Sequence, residues 1–243
     1  MNKPRWLRTP SHKHIPVWVF VFLFVGTLIS VLAGQKPSRQ FSEGHIFTLF
    51  SCFLLGTSAL AAFLVYQKRS HGRERPCGIV RAPEFLWVLI GLGFAYLAVD
   101  EVGCIHEKSS RMIRQLFHLE DTGLAERLDS VIITTYGLIG LLALWLYRAE
   151  IRFFRAIWGG VTVGFVLLGM HVVLDMLSED STFFRGYFGT HWRMAFEWTK
   201  VIEDGGKVMA NAFFLRAFLE AWILARNDPK PRALPGETGS PEA

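Results

Sequence analysis

The stretch FLWVLIGLGFAYLAVDEVGCIHEKSS, residues 85–110, decides which fold this chain can adopt. Its first part, through Val99, carries no charge, and Asp100, Glu101 and Glu107 follow directly after it. A helix needs about 20 mostly apolar residues to cross the roughly 30 Å hydrocarbon layer of a bilayer. The pattern therefore predicts a membrane-spanning helix that ends in a cluster of ionisable side chains.

Five further segments are similarly apolar, and 51% of the 243 residues are hydrophobic. Backbone polar groups in lipid must be paired within the chain, which leaves helices or closed barrels, and the alternation of barrel strands is absent. We predict an all-α polytopic membrane bundle of six transmembrane helices in residues 1–226, followed by a disordered cytoplasmic tail at 227–243. The predicted spans are Ile15–Ala33, His45–Tyr66, Phe85–Cys104, Val131–Tyr147, Ala156–Met176 and Asp204–Leu224.

The net charge of +5 reflects membrane topology and gives no indication of a nucleic-acid partner. Basic residues cluster before the first span, after the second, and between the fourth and fifth. They are Lys3, Arg5, Arg8, Lys13, Lys68, Arg69, Arg73, Arg75, Arg148, Arg152 and Arg155. Since these are alternate connections, the positive-inside rule places both termini in the cytoplasm. We expect an integral protein of a bacterial inner membrane, surrounded by membrane lipid.

The first span has some features of a signal peptide, since a basic start and an apolar run precede Val31-Leu32-Ala33. Its apolar run of about 19 residues exceeds the usual length of about 7–15, so we expect a retained helix. Three cysteines, two of them in spans, predict no disulfide framework.

Ionisable residues of four spans fall at the outer membrane level. The second span has His45 there, the third ends at Asp100–Glu107, the fifth ends with His171 and Asp175, and the sixth begins with Glu203–Asn211. A charge in lipid costs at least about 2.5–3.5 kcal/mol, so such groups usually face a partner or a cavity. We therefore expect them to share one aqueous pocket.

Helical periodicity indicates which of these side chains face one another. Asp100 and Glu107 are seven residues apart and point within about 20° of each other on a continuous helix. On the same helix Glu101 and His106 diverge, so at most one of them can join that pair. In the fifth span, His171 and Asp175 share one face.

These residue types suit a divalent metal ion. Carboxylates combined with imidazole are ligands for zinc, iron or manganese. The predicted metal ligands are Asp100, Glu107, His171 and Asp175. Glu203 is predicted as the general base or a further ligand, and Lys207 as the residue that neutralises excess acid or holds an anionic group.

Three functions remain open. The first is a metal-dependent enzyme, such as a hydrolase, that acts on a lipid or small apolar substrate at the outer face. The second is a proton- or ion-coupled transporter or sensor that uses the same cluster as a relay. The third is a purely structural protein, in which Lys207 pairs with Glu203 and His171 with Asp175 between helices. Arg216 and Glu220, deeper in the sixth span, are predicted to form a packing lock.

The predicted topology can be tested by cysteine labelling. Thiols introduced into 111–130 or 181–200 should react with a membrane-impermeant maleimide added outside, because both connections are expected on the outer side. Thiols in 70–83 should stay unlabelled, and the parent chain gives the background from its own cysteines. If thiols in 70–83 are labelled from outside instead, the predicted topology is wrong and the opposite orientation holds.

Overall fold

The computed structural model describes residues 11–42, 44–71, 82–118, 128–178 and 181–227. These residues are helical almost throughout, with no β-strand among them, so the all-α prediction is confirmed. The α-helices are α1 (Ile15–Leu32), α2 (Ile46–Ser70), α3 (Phe85–Gly103), α4 (Ile105–Leu116), α5 (Leu128–Leu146), α6 (Arg148–Phe153), α7 (Trp158–Ser178), α8 (Ser181–Phe188) and α9 (Trp192–Asn227). Short 3₁₀ helices occupy Ser11–His14, Pro37–Phe41, Arg155–Ile157 and Gly189–His191.

Five helical segments are long and apolar enough to cross a membrane, which by composition makes the chain an integral membrane protein. They are His12–Leu32, Pro37–Ser70, Phe85–Gly103, Arg155–Ser178 and Phe183–Asn227. The predicted fourth span corresponds to a shorter apolar helix, Ser130–Leu146, within α5. Most of the tail predicted at 227–243 lies outside the described residues, as do 119–127 of the first predicted outer connection.

The helix formed by the apolar stretch from Phe85 onward breaks at Cys104. This residue has φ 48° and ψ 45°, in the left-handed region, and it separates α3 from α4. Its backbone N–H donates to the Asp100 carbonyl oxygen at 2.7 Å, which closes the end of α3. The assumption of one continuous helix through Glu107 is therefore wrong, and the angular relation derived from it does not hold.

The second predicted outer connection, 181–200, is also helical. It contains α8, the 3₁₀ turn at Gly189–His191 and the first two turns of α9. As a result α9 has 36 residues and a length of about 54 Å, well beyond the span predicted at Asp204–Leu224.

Helix α9 forms the centre of the bundle. One buried cluster joins it to α2, α3 and α7 through residues such as Val65, Trp87 and Phe218. A second cluster joins it to α1 and α2 through side chains that include Leu23 and Val208. The buried face of α9 is rich in alanine: Ala210, Ala212, Ala217, Ala221 and Ala225 are each at most 2% exposed.

Small residues bring α7 close to α9. A Cβ atom added at Gly164 would lie 2.8 Å from the Phe214 ring, and one at Gly160 would lie 3.2 Å from Ala217 Cβ. A Cβ at Gly206 would lie 3.1 Å from Met170 Cε. Because small residues permit close backbone approach in membrane bundles, these glycines fix the separation of the two helices.

At the end of the bundle opposite Asp100, a buried ion pair connects two helices. Arg69 of α2 donates to both carboxylate oxygens of Glu150 in α6, at 2.9 and 3.0 Å, and Trp87 Nε1 donates to the same carboxylate at 3.2 Å. The guanidinium carbon also lies 4.2 Å from the centroid of the Phe153 ring. Both charged side chains are at most 3% exposed, so the pair is fully desolvated.

Removing the carboxylate of this pair should strongly destabilise the fold. Glu150→Gln removes the carboxylate that pairs with the buried Arg69 charge, and breaking such a buried pair costs about 3–5 kcal/mol. The measurement is the free energy of unfolding in mixed detergent micelles. Arg148→Gln, an exposed arginine two residues away, is the control and should change it little. A loss below about 1 kcal/mol for Glu150→Gln, the range of surface pairs, would contradict the assignment.

Candidate functional site

A cavity of about 290 Å³ lies between α2, α3, α4, α5, α7 and α9. Its apolar wall consists of Phe41, Leu55, Leu97, Ile133 and Leu168. The ionisable residues that line it are Asp100, Glu101, His106, Glu107, His171, Asp175, Glu203, Asp204 and Lys207. All six residues predicted for the site therefore line one cavity, although their assigned roles remain predictions.

Three of these side chains form a compact donor set. His171 of α7 and Glu203 and Asp204 of α9 each offer one ligand atom, and these atoms lie within 4.8 Å of one another. His171 is 6% exposed and Glu203 is 2% exposed. Among the described residues, no group forms a hydrogen bond with the buried Nδ1 atom of His171. A nitrogen and two carboxylates thus converge at one point of the cavity wall.

The carboxylate of Glu203 is held in place by two donors. Ser178 Oγ donates to it at 2.9 Å and Lys200 Nζ at 3.1 Å. Lys200 also lies 3.8 Å from Asp175, whose other oxygen accepts a hydrogen bond from Ser130 Oγ at 2.8 Å. Residues of α5, α7 and the N-terminal turns of α9 thus hold the carboxylates of Glu203 and Asp175 in place.

Lys200 is a site residue that sequence reasoning missed. It was assigned to an outer connection because hydropathy rises only after it. In the structure α9 already begins at Trp192, so Lys200 and Glu203 are an i,i+3 pair on one helix. Asp204 was noted only as an adjacent carboxylate, yet it belongs to the donor set.

Lys207 pairs with a residue of a different helix. Its Nζ atom lies 3.0 Å from Glu101 Oε1 of α3. The pairing of Lys207 with Glu203 that the sequence allowed is replaced by this pair and by the Lys200–Glu203 pair. One turn further along α9, Asn211 Nδ2 donates to Ser51 Oγ of α2 at 2.9 Å, and both side chains are buried. These two contacts bind α9 to its neighbours beneath the donor set.

The carboxylate of Asp100 is hydrogen-bonded to His106. The His106 backbone N–H donates to Asp100 Oδ1 at 2.8 Å, and His106 Nδ1 lies 2.9 Å from Oδ2. The break at Cys104 makes this possible, because it turns α4 back over the end of α3. Glu107 is the most exposed of the predicted ligands, with 40% of its side chain exposed, and lies 4.0 Å from Arg111. Neither Asp100 nor Glu107 belongs to the compact donor set.

The Asp100–His106 contact affects the protonation of the imidazole. His106 lies in α4, outside the membrane-spanning segments. The hydrogen bond that His106 donates to Asp100 raises the pKa of His106 above its usual value of 6.5, and burial opposes this effect. The Asp100 and Glu107 charges also raise this pKa, whereas Lys207 lowers it.

This contact predicts a pH-dependent contribution to stability. A raised pKa in the folded state stabilises the fold fully below pH 6.5, and the contribution is lost as the pH rises through the folded-state pKa of His106. The melting temperature lost in His106→Gln should therefore be largest at acidic pH and shrink at alkaline pH. His191→Gln, at an exposed histidine, is the control. A His106→Gln deficit that is constant with pH would show that the imidazole acts only by packing.

The comparisons with known proteins identify a family without an assigned activity. A family model described as "Domain of unknown function (DUF8692)" matches residues 43–221. No curated protein and no solved structure matches the chain. The matched segment contains every residue that lines the cavity except Phe41 and Ser42. The chain therefore belongs to the family defined by this domain of unknown function, DUF8692.

Proposed function

We propose that this protein is a membrane-embedded metalloenzyme that acts on a lipid or small apolar substrate. In this proposal His171, Glu203 and Asp204 hold a divalent ion. The observation that carries the proposal is the convergence of their ligand atoms within 4.8 Å, together with the unpartnered Nδ1 atom of His171.

The donor set fits a divalent ion of the first transition series or zinc. One imidazole nitrogen and two carboxylates are ligands that zinc, iron and manganese accept. A buried polar atom without a partner costs about 1–3 kcal/mol, and coordination at His171 Nδ1 would remove that cost. The hydrogen bonds to Glu203 from Ser178 and Lys200 resemble the outer contacts that orient metal-binding carboxylates.

Charge in the cavity also favours a bound cation. Six carboxylates line it: Asp100, Glu101, Glu107, Asp175, Glu203 and Asp204. Lys200, Lys207, Arg111 and, when protonated, His106 lie against these carboxylates. Several of these carboxylates sit close together at low dielectric, where they repel each other. A divalent ion at the donor set would offset this repulsion where it is strongest, between Glu203 and Asp204.

A bound ion would supply a Lewis acid and an activated water. The chain itself supplies the groups around it. Asp175 interacts electrostatically with His171, Glu203 and Asp204, and Ser130 orients it, so it is suited to accept a proton beside the ion. Lys207 remains paired with Glu101 at the cavity wall, where it can hold the polar group of a substrate. In this arrangement Glu203 serves as a ligand, and the base is Asp175.

The depth of the cavity supports a substrate that enters from lipid. In this proposal the edge of the hydrocarbon layer lies at Leu32, where the exposed apolar side chains of α1 end. Shortly after it, Lys36 lies 3.3 Å from Glu197 of α9, and Ser38 donates to the same carboxylate. Asp204 and Lys207 lie about 10 and 15 Å further along α9, inside the hydrocarbon layer.

The proposed topology has six spans, namely the five long apolar segments and α5, which is the fourth span in chain order. This helix has 19 residues, within the usual range of about 17–25. It is tied to its neighbours by the Tyr96–Tyr136 hydroxyl contact of 2.8 Å and by Ser130 with Asp175. With both termini cytoplasmic, the cavity opens to the outer side of a bacterial inner membrane.

The test is metal analysis of the detergent-purified protein. The parent chain should carry about one zinc, iron or manganese ion per molecule. His171→Ala, Glu203→Gln and Asp204→Asn should each lower metal affinity by about 10-fold or more, the scale for disturbing a metal site. Arg216→Ala, deeper in α9 and absent from the cavity lining, is the control and should keep full metal content.

Two outcomes would overturn the proposal. If the folded parent chain binds none of the three metals after each is supplied, the cluster is a proton or ion relay, and pH-dependent flux in vesicles becomes the decisive measurement. If metal remains in all three donor variants while helical content is unchanged, the ion lies elsewhere.

A further inference from the structure

We propose that α8 and the first turn of α9 form a binding surface for the headgroup of an anionic phospholipid. The surface, here called the arginine–aromatic surface, consists of Phe183, Arg185, Tyr187, Trp192 and Arg193. It is distinct from the cavity lining and requires no metal ion.

Two guanidinium groups lie against one indole ring. The Cζ atom of Arg185 lies 4.7 Å from the centroid of the Trp192 ring, and that of Arg193 lies 5.5 Å from it. Contacts of this kind hold an arginine in place while its N–H groups stay free to donate. Two exposed positive charges thus lie next to the same aromatic ring, and arginine donates readily to a phosphate group.

The aromatic residues of α8 give the surface a fixed base and an exposed face. Phe184 is 3% exposed and packs edge-on against Phe196 of α9, with ring centroids 5.6 Å apart. On the outer face, Phe183 and Tyr187 contact each other at 4.8 Å, and Tyr187 is 77% exposed. Amphipathic tyrosine and tryptophan rings are enriched at the membrane–water interface. The helix is therefore anchored on one side and suited to contact lipid on the other.

The surface lies at the depth of lipid phosphates. Glu197 lies just beyond the apolar end of α1, through its contact with Lys36. Trp192 is five residues further outward on α9, or about 7 Å. The headgroup layer extends roughly 5–7 Å beyond the hydrocarbon on each side. Arg185 and Arg193 are consequently level with the phosphates of the leaflet into which the cavity opens.

The charges of the surface are not neutralised within the described part of the chain. No carboxylate there forms an ion pair with Arg185 or Arg193, whereas Arg111, an exposed arginine of α4, faces Glu107 at 4.0 Å. Basic side chains at the surface of a bilayer attract anionic lipids over about a Debye length. Charge complementarity therefore selects an anionic headgroup over a zwitterionic one.

The experiment compares two lipids added to the full-length protein in a neutral detergent. Dioleoylphosphatidylglycerol should raise the melting temperature at lower concentration than dioleoylphosphatidylcholine. Each arginine should account for about a fivefold difference in the concentration that gives half of the rise. Arg185→Gln with Arg193→Gln should abolish the preference for the anionic lipid. Restoring the charges as Arg185→Lys with Arg193→Lys should recover most of it.

Arg111→Gln is the matched control, because it removes one exposed positive charge that already has a carboxylate partner. It should retain the preference. An equal loss in Arg111→Gln would show a general charge effect and overturn the proposal, as would a preference that survives in the double glutamine variant. A rise of the same size with inorganic phosphate alone would indicate a site for small anions, which also excludes a lipid surface. Circular dichroism establishes that each variant is folded.

Discussion

Adjacent carboxylates on a helix in the middle of an apolar bundle are the constraint on which the rest of this structure depends. Glu203 and Asp204 belong to α9, the helix around which the other spans pack. Isolated in hydrocarbon, each charge would strongly oppose insertion. The neighbouring helices therefore bring polar groups to this level: Ser178 and His171 from α7, Ser130 from α5, and Glu101 from α3, which pairs with Lys207 of α9. The bundle is organised around satisfying charge as much as around burying apolar surface.

The two ends of the bundle solve this problem differently. At the end near α6, Arg69, Glu150 and Trp87 form a buried set in which the Glu150 carboxylate accepts hydrogen bonds from both other side chains. At the other end, six carboxylates and several apolar side chains line a cavity of about 290 Å³. A purely structural role accounts well for the first arrangement. The second arrangement differs, because the buried Nδ1 atom of His171 has no hydrogen-bond partner among the described residues.

Hydropathy and helical periodicity were sufficient for much of the fold. The apolar runs located five membrane-length helices, and the placement of Asp100, His171 and Glu203 at corresponding helix ends led to one shared cavity. The features that the sequence did not reveal have local physical causes. Cys104 adopts a left-handed conformation directly after Gly103, the residue at which such a break would be expected. Lys200 lies in helical turns that continue past the hydrocarbon, where hydropathy carries no signal. Arg69 and Glu150 are 81 residues apart, and nothing in either segment identifies the partner.

The glycine at position 206 links packing to the chemistry of the donor set. His171 belongs to α7, whereas Glu203 and Asp204 belong to α9. The distance between these two helices therefore determines how far the imidazole lies from the carboxylates. A Cβ atom at position 206 would lie 3.1 Å from Met170 Cε, so a larger residue there would have to displace the Met170 side chain or move the two helices apart. If an ion is bound there as proposed, the helix spacing would act as a gauge of ionic radius. Discrimination between a small ion and a larger one such as calcium would then depend on residues that never touch the metal.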